Sequence, residues 1–153
     1  MKRKLVAATL TVSVGAAFMF DATAQVKPEV LVKQRQAVMT LQGKYFGPMA
    51  GMAQGKVPYD ANVVRRNAGF LDNLSRMAWD GFNPSTKGEK SATLPAVFDQ
   101  PDKFKEAASR LENEAQKLYD LTRSGGDEAA VKAQIGAVGK SCGGCHETFR
   151  EKR

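Results

Sequence analysis

The pentapeptide Cys142-Gly143-Gly144-Cys145-His146 stands close to the C-terminus and contains both cysteines and the only histidine of the chain. Cys-x-x-Cys-His is the attachment sequence of c-type haem: the thiols add to the vinyl groups of the porphyrin, and the histidine binds the iron. On a helix, residues three and four apart share a face, so both thiols and the imidazole reach one macrocycle. The pentapeptide therefore predicts one haem c, attached covalently through Cys142 and Cys145, with His146 as an axial iron ligand.

Two other kinds of site use a pair of cysteines at this spacing, a redox-active dithiol and half of a zinc site. A zinc site requires further ligands, and the chain has no other Cys or His to provide them. A thioredoxin-like dithiol is typical of a position beside a βαβ pattern, whereas Cys142 and Cys145 come at the end of a helical pattern. Haem attachment is therefore the favoured interpretation.

Residues 1–24 have the composition of a secretory signal peptide. Three basic residues precede an apolar run over 5–20, and an Ala-x-Ala cleavage site ends at Ala24. The run is shorter than the roughly 20 residues that span a bilayer, so cleavage is favoured over a retained membrane anchor. Export to the periplasm is expected, with a single domain over 25–153 and no membrane association after cleavage.

The chain is basic, with a formal net charge of +7 at pH 7. Cleavage after Ala24 removes three basic residues together with Asp21 and lowers this charge to +5. A moderate positive charge favours acidic partners, such as redox partner proteins with an acidic surface. Because Lys and Arg are scattered, without a basic stripe interleaved with aromatic residues, no nucleic-acid partner is expected.

Four stretches have the periodicity of helices, and short segments rich in Gly, Pro and Asp separate them. Since no stretch alternates as a strand does, the prediction is an all-α, antiparallel up-down-up-down four-helix bundle with the haem in its core. The helices are predicted over Pro28 to about Gln54, Ala61 to about Ala78, Pro101 to a stop at Ser124, and from the cap Asp127 to Phe149.

Two features of the pattern indicate where the haem lies. Apolar residues of the fourth helix recur at steps of three and four, and Cys142 and Cys145 occupy two positions of this stripe. The long connection over 79–100 has several large apolar residues and is predicted to fold back over the bundle near the haem. In the second helix, the predicted core-facing stripe is Val63, Val64, Phe70, Leu71, Leu74, Met77 and Ala78.

The second axial ligand of the iron is not a histidine, because the chain has only one. Among the methionines after the signal peptide, Met39 lies on the candidate haem face of the first helix, one turn after Arg35. Ligation by its thioether would give a six-coordinate, low-spin electron carrier. Alternatively, Met39 fills the pocket above the iron without binding it, as Met often does in protein cores. Both interpretations stay open at this point.

The chain resembles the class II c-type cytochromes, specifically the cytochrome c′ family, over the whole length that follows the signal peptide. The residues that carry the resemblance are Lys27-Pro28-Glu29, Arg35-Gln36, the turn from Gly55 to Asp60, Trp79 with Phe82, Pro95, and the segment from Cys142 to His146 with Phe149-Arg150. The resemblance implies thioether bonds at Cys142 and Cys145 and axial ligation by His146.

The resemblance also implies the surroundings of the haem. Arg35 and Gln36 would lie against it, with Arg35 near a propionate, while Thr93 and Leu94 would line it from the loop. Arg150 would lie on the proximal side, which agrees with its position one turn beyond His146. Met39 aligns with an apolar residue that shields a vacant iron site in most of the family, whereas low-spin members place a ligating Met near this point.

Two functions follow for such a protein: electron transfer with redox partner proteins, and binding of NO or CO at the distal iron position. No enzymatic activity is expected, because peroxide cleavage needs a distal acid–base group and the sole imidazole is on the proximal side. Arg35 is a poor proton shuttle, because a guanidinium stays protonated near neutral pH. Apolar residues left over on the first two helices are compatible with a homodimer.

Overall fold

The computed structural model describes residues 26–152, so the predicted signal peptide over 1–24 lies outside the described residues. Four long helices and one short helix follow each other along this part of the chain, and no strand forms within it. The predicted four-helix bundle is confirmed, with boundaries within a residue or two of those expected. The helices are α1 (Pro28–Ala53), α2 (Ala61–Met77), the one-turn α3 (Ala96–Asp99), α4 (Pro101–Arg123) and α5 (Glu128–Phe149).

Local chemistry accounts for where the long helices begin and end. The carboxylate of Asp60 accepts hydrogen bonds from the N–H groups of Asn62 (2.9 Å) and Val63 (3.1 Å), which caps α2. Asp127 caps α5 in the same way, accepting from Ala130 N–H at 2.9 Å. Gly55 follows α1 with φ +69°, a backbone conformation that favours glycine.

The helices pack in chain order, α1 against α2, α2 against α4 and α4 against α5. Helices α1 and α5 contact each other over a smaller surface, and this is where the bundle leaves room for a cofactor. The core is formed by apolar side chains from all four long helices, including Met49, Val64, Leu71, Leu118, Val131, Ile135 and Val138.

The predicted stripe of α2 is wrong at two positions. Phe70 is 44% exposed and Met77 is 59% exposed. Helix α2 packs against both α1 and α4, so its buried face contains small residues and an amide in place of large apolar groups. The amide of Asn67 is hydrogen-bonded: its Nδ2 donates to the carbonyl of Tyr45 at 3.2 Å. The residues of α2 that are buried are Val64, Asn67, Ala68, Leu71 and Ser75.

The long connection between α2 and α4 folds against the bundle, as predicted. It forms two 3₁₀ turns, Trp79–Phe82 and Pro84–Thr86, and then the short helix α3. The first turn packs on α1 so closely that a Cβ on Gly81 would lie 2.6 Å from the Cβ of Arg35. A residue without a side chain is therefore required there. Among residues 26–152, no helix is long and apolar enough to cross a membrane.

Candidate haem-binding site

A cavity of about 720 Å³ opens between α1, α5 and the long connection. This volume is within the range of cofactor and ligand sites in proteins. Its lining comes from five parts of the chain, so the site exists only in the folded bundle. The lining residues include Arg35, Gln36, Met39, Thr40, Gln42 and Phe46 of α1, Leu71 of α2, Trp79, Phe82 and Thr93 of the connection, Phe104 of α4, and Cys142, Cys145, His146, Phe149 and Arg150 at the C-terminal end.

The wall formed by α5 contains both thiols and the imidazole. Cys142 and Cys145 are free cysteines, and burial raises the pKa of both thiols. Reactive dithiols have lowered thiol pKa values, so this environment disfavours a redox-active dithiol. Within the described residues, no group of three or more His, Cys, Asp or Glu side chains could hold a metal ion.

The wall formed by α1 contains a buried cation. Arg35 is only 3% exposed, and its guanidinium donates four hydrogen bonds to the long connection. One terminal nitrogen donates to Gly81 O at 2.6 Å and Thr86 Oγ1 at 2.9 Å, and the other to Ser91 Oγ at 2.9 Å and Thr93 Oγ1 at 3.0 Å. All four acceptors are neutral. Burial lowers the pKa of Arg35, yet a guanidinium stays protonated at neutral pH.

The connection is also joined to the segment that follows α5. Thr93 and Arg150 form an isolated antiparallel bridge, and Glu151 N–H donates to Ala92 O at 2.9 Å. Leu94 N–H donates to Phe149 O at 3.0 Å, and Leu94 is not among the residues that line the cavity. The haem contact that the resemblance implies for Leu94 stays a prediction.

Four aromatic side chains form one wall of the cavity, and none of them was predicted from the sequence as a site residue. Phe104 of α4 is central: its ring centroid lies 5.9 Å from Trp79, 4.8 Å from Phe82 and 5.3 Å from Phe149. The guanidinium of Arg35 lies over the Phe82 ring, 4.6 Å from its centroid. The large apolar residues in the long connection were the available signal, whereas nothing in α4 distinguished Phe104 from a core residue.

Eight of the nine side chains predicted to contact the cofactor are brought together around the cavity. These eight are Arg35, Gln36, Met39, Thr93, Cys142, Cys145, His146 and Arg150. Gln42 and Phe46 of α1 also line the cavity without having been predicted, although they follow Met39 at helical spacing and could have been found on that basis.

The residues present fit a haem. Apolar and aromatic side chains suit the faces of a porphyrin. The two thiols are not in a disulfide and can add to its vinyl groups. Two buried nitrogens, Trp79 Nε1 and Arg150 Nε, lack a hydrogen-bond partner in the described part of the chain. Neither nitrogen has surface open to the cavity, although other atoms of both residues line it, so the fit to a haem rests on the apolar lining and the two thiols.

A four-helix bundle whose last helix presents Cys-x-x-Cys-His to an interior cavity defines a class of c-type haem protein. Comparison with known proteins identifies the family within this class. A family model described as cytochrome C′ matches residues 30–150, so the chain belongs to the cytochrome c′ family. The group that this family carries is a c-type haem, and Cys142 and Cys145 are the two cysteines available to attach it.

Individual relatives agree with this assignment. The chain is 39% identical to the cytochrome c′ of Rubrivivax gelatinosus over 127 residues, which cover 82% of this chain and 98% of the relative. The crystal structure of the Rubrivivax gelatinosus protein superimposes with a TM-score of 0.77 and covers 82% of this chain and 98% of its own, at 37% identity. A nitric oxide complex of a cytochrome c′ mutant from Alcaligenes xylosoxidans superimposes with a TM-score of 0.76, at 34% identity over 84% of this chain and 98% of that chain.

Proposed function

We propose that the protein is exported to the periplasm, binds NO or CO at the iron position facing α1, and exchanges electrons with redox partners. His146 would bind the iron from the α5 side. One observation carries the proposal: the α1 wall offers no imidazole and no carboxylate to the iron, and its only soft ligand atom is the sulfur of Met39. When bound, the haem supplies an iron with one axial position left to be filled.

The side chains of the α1 wall would favour small neutral ligands. Phe46 of α1 and Leu71 of α2 contribute apolar surface to the cavity, which disfavours charged ligands. Two polar side chains of α1 direct hydrogen bonds to backbone carbonyls: Gln42 Nε2 donates to Leu74 O at 2.9 Å, and Thr40 Oγ1 donates to Gln36 O at 2.8 Å. The nitric oxide complex of the Alcaligenes xylosoxidans relative supports the same ligand class.

Met39 decides between the two forms of this proposal. It lines the cavity from α1, so its thioether is available as a sixth ligand, which would give a low-spin electron carrier without gas binding. If Met39 does not bind the iron, the ferric and ferrous proteins have high-spin visible spectra, and the ferrous spectrum changes on addition of CO. We expect this second result, since Met commonly fills irregular apolar space.

The Met39→Leu variant tests the assignment of the sixth ligand. Leucine conserves most of the volume, so the fold is expected to tolerate the change at a cost below about 1.5 kcal/mol. The visible spectrum should stay high-spin and responsive to CO, as in the unchanged protein. Met77→Leu is the matched control, because Met77 is 59% exposed and lies outside the cavity. A low-spin spectrum that Met39→Leu alone converts to high-spin would identify Met39 as a ligand and overturn gas binding.

Electron transfer would use the same haem without an enzymatic reaction. The chain is basic, so acidic redox partners are the expected class. Peroxide turnover is not expected, since the only imidazole belongs to the α5 wall and both terminal nitrogens of Arg35 donate to neutral oxygens of the connection.

A homodimer through α1 and α2 is part of the proposal. Leu41 is 39% exposed and Phe70 is 44% exposed, while the ring of Tyr45 lies 4.7 Å from that of Phe70. These residues form an apolar surface of the kind that mediates association. Phe70→Glu is expected to give a monomer in sedimentation equilibrium. Val57→Glu, at a residue 47% exposed on the connection after α1, should leave the mass unchanged; equal masses for all three proteins would exclude this interface.

A further inference from the structure

A groove of about 420 Å³ lies between α2 and α4, apart from the haem site. Asn62, Arg65, Arg66 and Asn73 line it from α2, and Tyr119 lines it from α4. None of its lining residues belongs to the cavity that accommodates the haem. Any ligand of this groove is therefore distinct from the haem and from the ligands of its iron.

The charged side chains of the groove are both cationic. Arg65 and Arg66 are exposed residues of α2, and none of the described residues that line the groove is an Asp or Glu. Neither guanidinium takes part in an ion pair found between residues 26 and 152. By contrast, Arg76 and Arg110 each pair with a carboxylate of their own helix, at 3.1 and 2.8 Å. The groove thus carries two positive charges that the described part of the chain does not balance.

The two guanidinium groups also keep most of their hydrogen-bond donors for a ligand. A guanidinium has five N–H bonds. Arg66 donates from Nε to Asn67 Oδ1 at 3.3 Å, and both of its terminal nitrogens are left without an acceptor among the described residues. Arg65 donates to none of them. Planar guanidinium donors match the oxygen atoms of a phosphate group, which can accept from both side chains at once.

The ring of Tyr119 forms the α4 side of the groove, and its position depends on Gly69. A Cβ on Gly69 would lie 3.0 Å from Cε2 of Tyr119, so the ring packs directly against the backbone of α2. The guanidinium of Arg123 lies over the same ring, 5.5 Å from its centroid. A third cation is therefore held close to the groove, and it too is absent from the ion pairs of the described residues.

The volume of the groove favours a phosphate that is attached to an organic group. Cavities of about 300 Å³ and more accommodate small organic ligands, whereas a bare oxyanion would fill only part of such a space. Phe70 lines the groove and is 44% exposed, so it offers aromatic surface together with Tyr119. Of the groove residues, Phe70 alone also belongs to the apolar surface proposed for the homodimer.

We propose that this groove binds a small organic phosphate, whose phosphate oxygens accept from Arg65 and Arg66 and whose organic part rests on Phe70 and Tyr119. Charge complementarity carries the inference, because two guanidinium groups without a counter-charge share one groove with no acidic lining residue among those described. The site would act independently of haem attachment and of gas binding.

Isothermal titration calorimetry of the holoprotein at constant ionic strength tests the proposal, with phenyl phosphate and inorganic phosphate as probes. We expect one phenyl phosphate to bind per chain. Inorganic phosphate should bind more weakly, because only the ester contacts the aromatic side chains. Equal affinities for the two probes would overturn the assignment to an organic phosphate, and the absence of saturable binding by phenyl phosphate would overturn the site itself.

The Arg66→Gln variant removes one of the two cations and should weaken the binding of phenyl phosphate about fivefold, the upper range for an exposed ion pair. Arg65→Gln is expected to have a similar effect. Arg110→Gln is the matched control, because Arg110 is also exposed, loses the same charge and lies outside the groove. Its affinity should equal that of the unchanged protein. Equal losses in all three variants would show that binding follows the net charge of the chain, and the groove would then not be the site.

Discussion

Replacement of both Cys142 and Cys145 by alanine is expected to abolish covalently held haem. The two thiols are the only cysteines of the chain, so no other residue can form a thioether with the porphyrin. After expression with haem-attachment machinery, acid–acetone treatment should remove all haem from the double variant and none from the unchanged protein. Each single variant retains one thiol and is expected to hold less haem than the unchanged protein.

The same variant tests what the haem contributes to the structure. Without it, the cavity of about 720 Å³ has lost the group that fills it, and a bundle with so large an apolar void is expected to be markedly less stable. Because a haem near Trp79 quenches its emission, tryptophan fluorescence should rise as haem is lost. Gly136→Ala is the control, since a Cβ there meets nothing within 4 Å. Extraction-resistant haem in the double variant would refute the attachment assigned to this motif.

Arg35→Leu is expected to destabilise the protein by about 3 kcal/mol. The substitution removes four hydrogen bonds that a charged group donates. It also leaves the buried carbonyl of Gly81 without the donor that Arg35 provides. Hydrogen bonds to charged groups contribute about 1.5 to 3 kcal/mol each, whereas returning the cation of the 3% exposed Arg35 to water recovers part of this sum. The net loss should appear as a lower denaturant midpoint for the ferric holoprotein.

Two further variants in α1 make this prediction more specific. Arg35→Lys keeps the charge but has three donors on one atom, so it cannot reach four acceptors and should recover only part of the stability. Lys33→Leu changes an exposed residue two positions earlier and is expected to leave the midpoint nearly unchanged. The long connection should also become more sensitive to proteolysis in Arg35→Leu. Equal stability of Arg35→Leu and the unchanged protein would show that Arg35 does not hold the connection in place.

Local sequence patterns predicted the helices because the interactions that define them are local. Capping by Asp60 and Asp127 involves residues two or three positions away, and the attachment motif occupies consecutive turns of one helix. The same holds for the placement of Met39 on the haem side of α1, which follows from helical spacing. For these features the sequence was sufficient, and the class of cofactor followed from it.

The contacts that complete the site join residues far apart in the chain. Arg35 donates to acceptors 46 to 58 positions later, and Phe104 reaches the cavity from α4. No periodicity encodes such pairings. The exposure of Phe70 and Met77, and the position of Leu94 outside the cavity, likewise depend on how neighbouring elements approach each other. The sequence alone thus determined the helices and the class of cofactor that they hold. Packing between distant segments decided which side chains surround that cofactor, because these segments meet only when the bundle forms.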